Sequence, residues 1–152
     1  MDIKELKPTS IWHYFDAITG VPRPSKKEER IREFLLNFAK EQNLEVKVDK
    51  TGNVVITKEA TPGCEGAPTV ILQAHMDMVC EKNGDVKHDF ERDPIETYID
   101  GEWVKARGTT LGADNGIGMA AAMAVLADEE LKHGRIQALF TVDEETGLTG
   151  AF

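Results

Sequence analysis

The sequence of 152 residues lacks the features that define several large classes of protein. No apolar run is long enough to cross a bilayer, and Met1–Leu6 lacks the apolar core of a secretory leader. The only two cysteines, Cys64 and Cys80, do not form a CxxC motif, so both are predicted to be reduced and structural. Walker A, GxSxG and EF-hand patterns are absent, which leaves phosphate cradling, serine hydrolysis and calcium switching without support. Together these absences predict a cytoplasmic protein.

Basic residues are few in comparison with acidic ones. Lys and Arg number 18 against 27 Asp and Glu, which gives a formal net charge of −9. Because phosphate-rich partners require basic surfaces, this balance disfavours nucleic acid and membranes as partners. The hydrophobic fraction of 41% and the charged fraction of 30% are typical of a globular chain, and the length favours a single domain.

Helical and extended patterns alternate along the chain, which predicts an α/β fold with a mixed open sheet flanked by helices and with β-hairpin additions. Gly- and Pro-rich turns separate the segments. The predicted helices are 10–19, one opened by a capping box at 25–28, and 116–132; the predicted strands are 44–48, 54–56, 69–74, 98–99, 103–104 and 136–142. The strand at 69–74 is apolar without alternation, which predicts burial on both faces. The irregular stretch 81–94 is the longest loop, and long ordered loops are often functional.

Two of the apolar strands are each followed by metal-ligating residue types. His75 and Asp77 follow the strand 69–74, and their spacing places both side chains on one face of an extended segment. Asp77 is suited to hold the second imidazole nitrogen or to orient a nearby base. Alone, the short pattern is more often an ordinary solvated strand end.

Glu144 and Glu145 follow the strand 136–142. Adjacent residues on an extended chain point to opposite sides, so one can ligate a metal while the other reaches a water molecule. A charged loop is the usual interpretation of such a sequence. Here, however, Asp143 makes a third consecutive acid, and a cation would relieve the repulsion among them.

Asp114 lies between glycines that permit a close approach of the backbone. Its carboxylate can bridge two metal ions, or it can cap the helix that follows; taken alone, capping is the more common role. In open α/β sheets, ligands gather beyond the carboxyl ends of strands, so we expect His75, Asp114 and Glu145 to converge there. Nitrogen and oxygen ligands of this kind suit zinc, with manganese or cobalt as alternatives.

Longer strings around these residues resemble a known enzyme family. His75–Val79, Trp103–Gly116 and Phe140–Gly147 are similar to the cocatalytic zinc peptidases that include aminoacylases and carnosinases, and most similar to the aminoacyl-histidine (Xaa-His) dipeptidase branch. The likeness covers nearly the whole chain. It implies a zinc-peptidase catalytic domain that hydrolyses small dipeptides in the cytoplasm, with two zinc ions in the complete enzyme and homodimer formation through an inserted lid domain.

The resemblance also implies a role for each motif residue. His75 would bind one metal, Glu145 the other, and Asp114 both; the catalytic residues would be Asp77, supporting the site, and Glu144, the general base toward water. Members of the family take a further carboxylate and a histidine from positions beyond residue 152. We therefore expect residues 1–152 to be the N-terminal portion of a metallopeptidase catalytic domain, without the lid domain and inactive alone. The alternative is a non-enzymatic α/β module that binds metal weakly.

One further motif resembles a cofactor site but lacks its context. Residues 116–121 match G-x-G-x-x-A, the dinucleotide fingerprint. That fingerprint requires a strand directly before the first glycine, whereas here a Gly/Thr loop carrying Asp114 precedes it. The carboxylate would also repel a pyrophosphate, so the glycines are predicted to serve close packing of the helix on the sheet.

Overall fold

The structure, a computed structural model, describes residues 2–152. Four helices and six strands form its regular elements, with two short 3₁₀ turns at Ile3–Glu5 and Thr149–Ala151. The helices are α1 (Thr9–Thr19), α2 (Glu29–Glu41), α3 (Ala113–Ala127) and α4 (Glu144–Gly147); the strands are β1 (Glu45–Val48), β2 (Val54–Lys58), β3 (Val70–His75), β4 (Thr97–Asp100), β5 (Trp103–Ala106) and β6 (Ile136–Thr141). None of the helices in residues 2–152 combines the length and the apolar character that crossing a membrane requires.

The main sheet has four strands in the order β1-β2-β6-β3. β1 pairs with β2 and β2 with β6 in antiparallel fashion, while β3 and β6 run parallel. β4 and β5 form a separate antiparallel hairpin. The mixed sheet, the helices and both hairpins agree with the α/β architecture predicted from the sequence.

A single hydrophobic core joins the helices to one side of the sheet. Alternate residues of the paired strands, including Val54, Ile56, Ala138, Phe140 and Ala74, are at most 1% exposed and share this core with the buried side chains of α1, α2 and α3. Burial of a valine, isoleucine or phenylalanine side chain contributes about 1.5–3 kcal/mol to folding. The core therefore fixes β3 and β6 as rigid neighbours. Because the two strands are parallel, their carboxyl ends lie side by side.

The prediction that the strand at 69–74 is buried on both faces is wrong. β3 forms an edge of the sheet, and Val70 and Ile71 are 51% and 61% exposed. The register places Ile71 on the face opposite the buried Ala74 and Phe140, and no helix covers it in the described residues. The apolar run is thus buried only toward its carboxyl end, at Ala74 and His75.

Two predicted helix ends also differ from the structure. α3 ends at Ala127, not at residue 132, because the Asp128 side chain accepts hydrogen bonds from the N–H groups of Glu130 and Leu131 and so favours a turn. α2 begins at Glu29, and Ser25 does not cap it: the Ser25 hydroxyl donates to Asp77 instead. The capping-box pattern therefore marks a contact with the candidate site.

Candidate metal centre

The parallel pair β3 and β6 brings two of the predicted motifs side by side. His75 is the last residue of β3 and pairs in register with Thr141, the last residue of β6. Glu144 and Glu145 follow as the first two residues of α4. They lie in a helical turn rather than on an extended chain, so the expectation that they point to opposite sides of a strand does not apply.

Asp114 reaches the same edge from the first turn of α3. Gly112 precedes the helix with a left-handed φ of 73°, and Asp114 and Asn115 have non-helical backbone angles and are joined by a cis peptide bond. The Asp114 side chain is hydrogen-bonded to His75 Nε2, and in the described residues no N–H group of α3 donates to it, so Asp114 does not have the capping role that was the alternative for it. Its side chain is 86% exposed and stands free of the helix to reach the sheet edge.

The three predicted metal ligands converge. Ligand atoms of His75, Asp114 and Glu145 all lie within 4.8 Å of one another, with His75 Nε2 at 3.0 Å from Asp114 Oδ1. Glu144 adds a fourth polar group, since its Oε2 lies 3.7 Å from His75 Nε2. The convergence predicted from strand ends is confirmed, while the role of each residue stays a prediction.

The Asp77 side chain makes the hydrogen bonds that hold these groups in place. It is fully buried, and its Oδ1 accepts from the Glu144 N–H at 3.0 Å while its Oδ2 accepts from the Glu145 N–H at 3.1 Å and the Ser25 hydroxyl at 2.6 Å. Oδ1 also lies 3.3 Å from His75 Nδ1, and the same nitrogen is 3.0 Å from the Asp77 carbonyl oxygen. Asp77 thus fixes the imidazole, leaving Nε2 toward the carboxylates, and also anchors the turn that carries Glu144 and Glu145.

The electrostatics of the cluster favour a cation. Burial lowers the pKa of His75, but hydrogen bonds to Asp77 and Asp114 outweigh it and raise the pKa to about 9. Burial opposes ionisation of Asp77 as well, yet hydrogen bonds from His75, Ser25 and the backbone hold its pKa well below the usual range. Burial and the neighbouring acids raise the pKa of Glu145, although His75 counteracts them. In the metal-free protein, the imidazolium is the positive charge that these carboxylates share.

Asp143 does not take part in the repulsion that the sequence suggested for three consecutive acids. It is 4% exposed and accepts hydrogen bonds from the hydroxyls of Thr146 and Thr149, which lower its pKa. Its backbone N–H donates to Glu28 Oε1 at 2.8 Å. Asp143 therefore shapes the turn before α4, and only Glu144 and Glu145 face His75.

Sequence reasoning missed three residues that support the site: Arg23, Ser25 and Glu28. All three come from the segment between α1 and α2, which runs beside the end of β3 through a bridge between Pro24 and Met78. Arg23 is 2% exposed and Glu28 is 5% exposed. A signal was available in Pro24, because a proline restricts the residue before it, here Arg23, to extended conformations.

An open cleft of about 540 Å³ adjoins the centre. The 24–27 segment lines one side of it, and the predicted functional loop, 81–94, lines the other with residues such as Lys82 and His88. Ser25 lines the cleft, and its hydroxyl also donates to Asp77, so this residue connects the cleft to the candidate metal centre.

The glycines of the dinucleotide-like pattern lie in close packing, but their nearest neighbours do not belong to the sheet. A Cβ on Gly118 would lie 2.1 Å from Asn115 Oδ1, in the first turn of α3, and at an ordinary contact distance of 3.4 Å from the Ala74 side chain of β3. A Cβ on Gly116 would lie 2.8 Å from Arg23 Nη2 and 3.2 Å from the Phe15 ring. The predicted contact between the helix and the sheet therefore accounts for only part of the pattern.

Comparison with known proteins places the chain among peptidases. Residues 71–151, more than half of the chain, match Peptidase family M20/M25/M40. The cytosol non-specific dipeptidase of Escherichia coli is 54% identical over 151 residues, an alignment that covers 99% of this chain and 31% of that protein. The chain therefore spans about a third of the length of this relative.

Solved structures give the same assignment. Aminoacylhistidine dipeptidase from Vibrio alginolyticus superposes with a TM-score of 0.98 at 56% identity, covering 100% of this chain and 31% of that one. A tripeptidase from Staphylococcus aureus superposes with a TM-score of 0.78 at 25% identity, covering 96% of this chain and 39% of that one. These matches confirm the resemblance that the motifs suggested, and the chain belongs to Peptidase family M20/M25/M40.

Proposed function

We propose that this chain carries the N-terminal part of a metal-dependent dipeptidase site. The observation that supports this most directly is the convergence of His75, Asp114 and Glu145, which come from three separate elements, with Glu144 beside them. Close similarity to a non-specific dipeptidase and to an aminoacylhistidine dipeptidase suggests the substrate, namely small dipeptides including the Xaa-His type.

The donor set suits zinc. One imidazole nitrogen and two carboxylate oxygens are common zinc ligands, and tetrahedral bonds of roughly 2.0–2.2 Å place two ligands of one ion roughly 3.3–3.6 Å apart. The 3.0 Å between His75 Nε2 and Asp114 Oδ1 is near that spacing, and the other separations, none above 4.8 Å, suit a pair of ions with a bridging carboxylate. His75 and Glu145 would each hold one ion of such a pair, and Asp114 both.

The remaining residues perform the proton chemistry and the positioning. When bound, zinc polarises a peptide carbonyl and lowers the pKa of water. Glu144 Oε2 accepts a proton from the attacking water and later delivers it to the leaving amine. Asp77 holds His75 and the backbone of Glu144 and Glu145 in fixed positions, so that the base and the ligands keep their spacing. The cleft beside Ser25 receives part of the dipeptide.

The proposal extends to compartment and assembly. The Escherichia coli relative carries the word cytosol in its name, and we assign this protein to the same compartment. The homodimer implied by the family resemblance would form through parts of the relatives that this chain does not match. Residues 1–152 would then be the N-terminal portion of the catalytic domain.

Two neighbouring glutamates provide a matched test of the ligand assignment. Zinc binding is measured by titration calorimetry on the unaltered chain, on Glu145→Gln and on Glu144→Gln, because each substitution removes one charge and leaves the size unchanged. We expect Glu145→Gln to weaken zinc binding strongly and Glu144→Gln to retain it. Loss of zinc from Glu144→Gln, or unchanged binding by Glu145→Gln, would contradict the assigned roles.

Turnover is measured on the longest natural polypeptide that contains these 152 residues, with Xaa-His and other dipeptides as substrates. Removal of a general base costs about 10²–10⁴ in rate, so Glu144→Gln is expected to lose that much while it keeps its metal. Absence of dipeptide hydrolysis by the unaltered, metal-loaded protein would refute the proposed activity.

A further inference from the structure

Arg23 is a buried cation whose hydrogen-bond acceptors are main-chain carbonyl groups. Its side chain is 2% exposed. Nη1 donates to the carbonyl oxygens of Met76 at 3.0 Å and of Asp77 at 3.2 Å, and Nη2 donates to that of Gly112. Burial lowers the pKa of Arg23 to about 10, so the group stays charged at neutral pH. A buried charge is costly, and an apolar residue of similar volume often serves stability as well or better.

The three carbonyl groups belong to the two segments that carry candidate ligands. Met76 and Asp77 directly follow His75, whereas Gly112 lies two residues before Asp114. The guanidinium is a rigid planar fork, so donors on its two arms hold both segments at a fixed separation. That separation determines where His75 Nε2 and Asp114 Oδ1 lie relative to each other, at 3.0 Å in this structure.

The glycines around Asp114 provide an independent observation. A Cβ built on Gly112 would lie 2.6 Å from Arg23 Nη2, and one built on Gly116 would lie 2.8 Å from the same atom. Both distances are shorter than contacts that real Cβ atoms make. The two glycines that flank Asp114 therefore leave the space that the guanidinium occupies.

We propose that Arg23 is a positioning residue that sets the spacing between the His75 and Asp114 ligands before metal binds. The inference rests on the proposed metal site. It adds a residue from outside the segment 71–151 that matches the family, and Arg23 acts through the backbone of the ligand segments, without contact with metal or substrate.

The test is cobalt(II) affinity, measured by absorbance titration of the purified chain and of three variants. Arg23→Met removes the charge and all the donors, while Arg23→Lys keeps the charge but not the fork. Arg135→Met is the matched control, because Arg135 is partly exposed, pairs with Glu59 and precedes the opposite end of β6. Far-UV circular dichroism and urea unfolding define conditions in which each variant is folded.

We expect Arg23→Met to bind cobalt about 10–100-fold more weakly when fully folded, Arg23→Lys to fall between it and the unaltered chain, and Arg135→Met to bind normally. A residue with only a structural role would lower the unfolding free energy and leave the affinity of the folded protein unchanged, and that result in Arg23→Met would overturn the inference. If Arg23→Met does not fold, unchanged affinity in Arg23→Lys would overturn it. If the unaltered chain binds no cobalt, the proposed metal site fails together with the inference. If the unaltered chain binds cobalt and Arg23→Met binds it equally well, only the role of Arg23 fails.

Discussion

Replacement of Asp77 by asparagine tests how the site is held together. The carboxylate accepts from the N–H groups of Glu144 and Glu145 through different oxygens, and from the Ser25 hydroxyl. Asparagine has the same shape but only one acceptor oxygen. In either orientation of the amide, its NH₂ group faces one of the two backbone N–H groups, which leaves that buried donor without an acceptor.

The expected cost follows from these contacts. Hydrogen bonds to a charged group contribute about 1.5–3 kcal/mol each, and the substitution removes at least one and weakens the others, so we expect Asp77→Asn to lower the unfolding free energy by about 3 kcal/mol. Relief of repulsion with Glu145 acts in the opposite direction, but that side chain is partly solvated and the relief is smaller. For a chain of this length, 3 kcal/mol corresponds to a fall in Tm of about 6–12 °C.

The assay is urea unfolding in the presence of EDTA, so that metal does not contribute to the stability that is measured. Asp85→Asn is the control, because Asp85 is an exposed acid in the 81–94 loop and its replacement is expected to change stability by at most about 0.5 kcal/mol. A loss below about 1 kcal/mol for Asp77→Asn would refute the claim that this carboxylate anchors the turn before α4.

Three further predictions follow from the structure. First, the pKa of His75 is raised to about 9, so protonation of His75 stabilises the metal-free fold fully below pH 6.5, and that contribution disappears as the pH rises through 9. Urea unfolding with EDTA should show this decline in stability, and His75→Gln should abolish the decline. Second, the purified chain with added zinc should release no amino acids from Xaa-His dipeptides, because it spans only about a third of the relatives that are named as dipeptidases. Turnover that Glu144→Ala removes would contradict this. Third, Ile71→Lys at the exposed sheet edge should change the unfolding free energy by at most about 0.5 kcal/mol and reduce self-association in sedimentation velocity. Equal association of the variant and the unaltered chain would show that the exposed strand β3 does not mediate self-association.

The convergence of His75, Asp114 and Glu145 was better predicted from the sequence than their surroundings were. His75 and Glu145 follow apolar strands, and Asp114 lies in a glycine loop, so local patterns were sufficient to predict that they meet. The edge position of β3 was not predictable in this way, because exposure of Ile71 depends on which elements cover the sheet. Local spacing of residue types predicts that a segment is a strand, but not which elements lie next to it.

The supporting residues show the same limit. Ser25 matched a capping box, and only the fold reveals that its hydroxyl reaches Asp77, 52 positions away. Nothing in the sequence distinguishes Arg23 from an ordinary surface cation, since its acceptors at Met76 and Gly112 are remote in sequence. Contacts to main-chain carbonyl groups leave no signature in side-chain types, which explains why only the fold reveals the acceptors of Arg23.

The central claim is that His75, Asp114 and Glu145 hold metal. Anomalous diffraction at the zinc absorption edge, on crystals of the chain soaked in zinc, tests it most directly because it locates the ion without reference to the protein atoms. The account predicts an anomalous peak roughly 2.0–2.2 Å from His75 Nε2 and from carboxylate oxygens of Asp114 and Glu145. A zinc-loaded crystal with its peaks only at other side chains, and none between these three, would contradict the account.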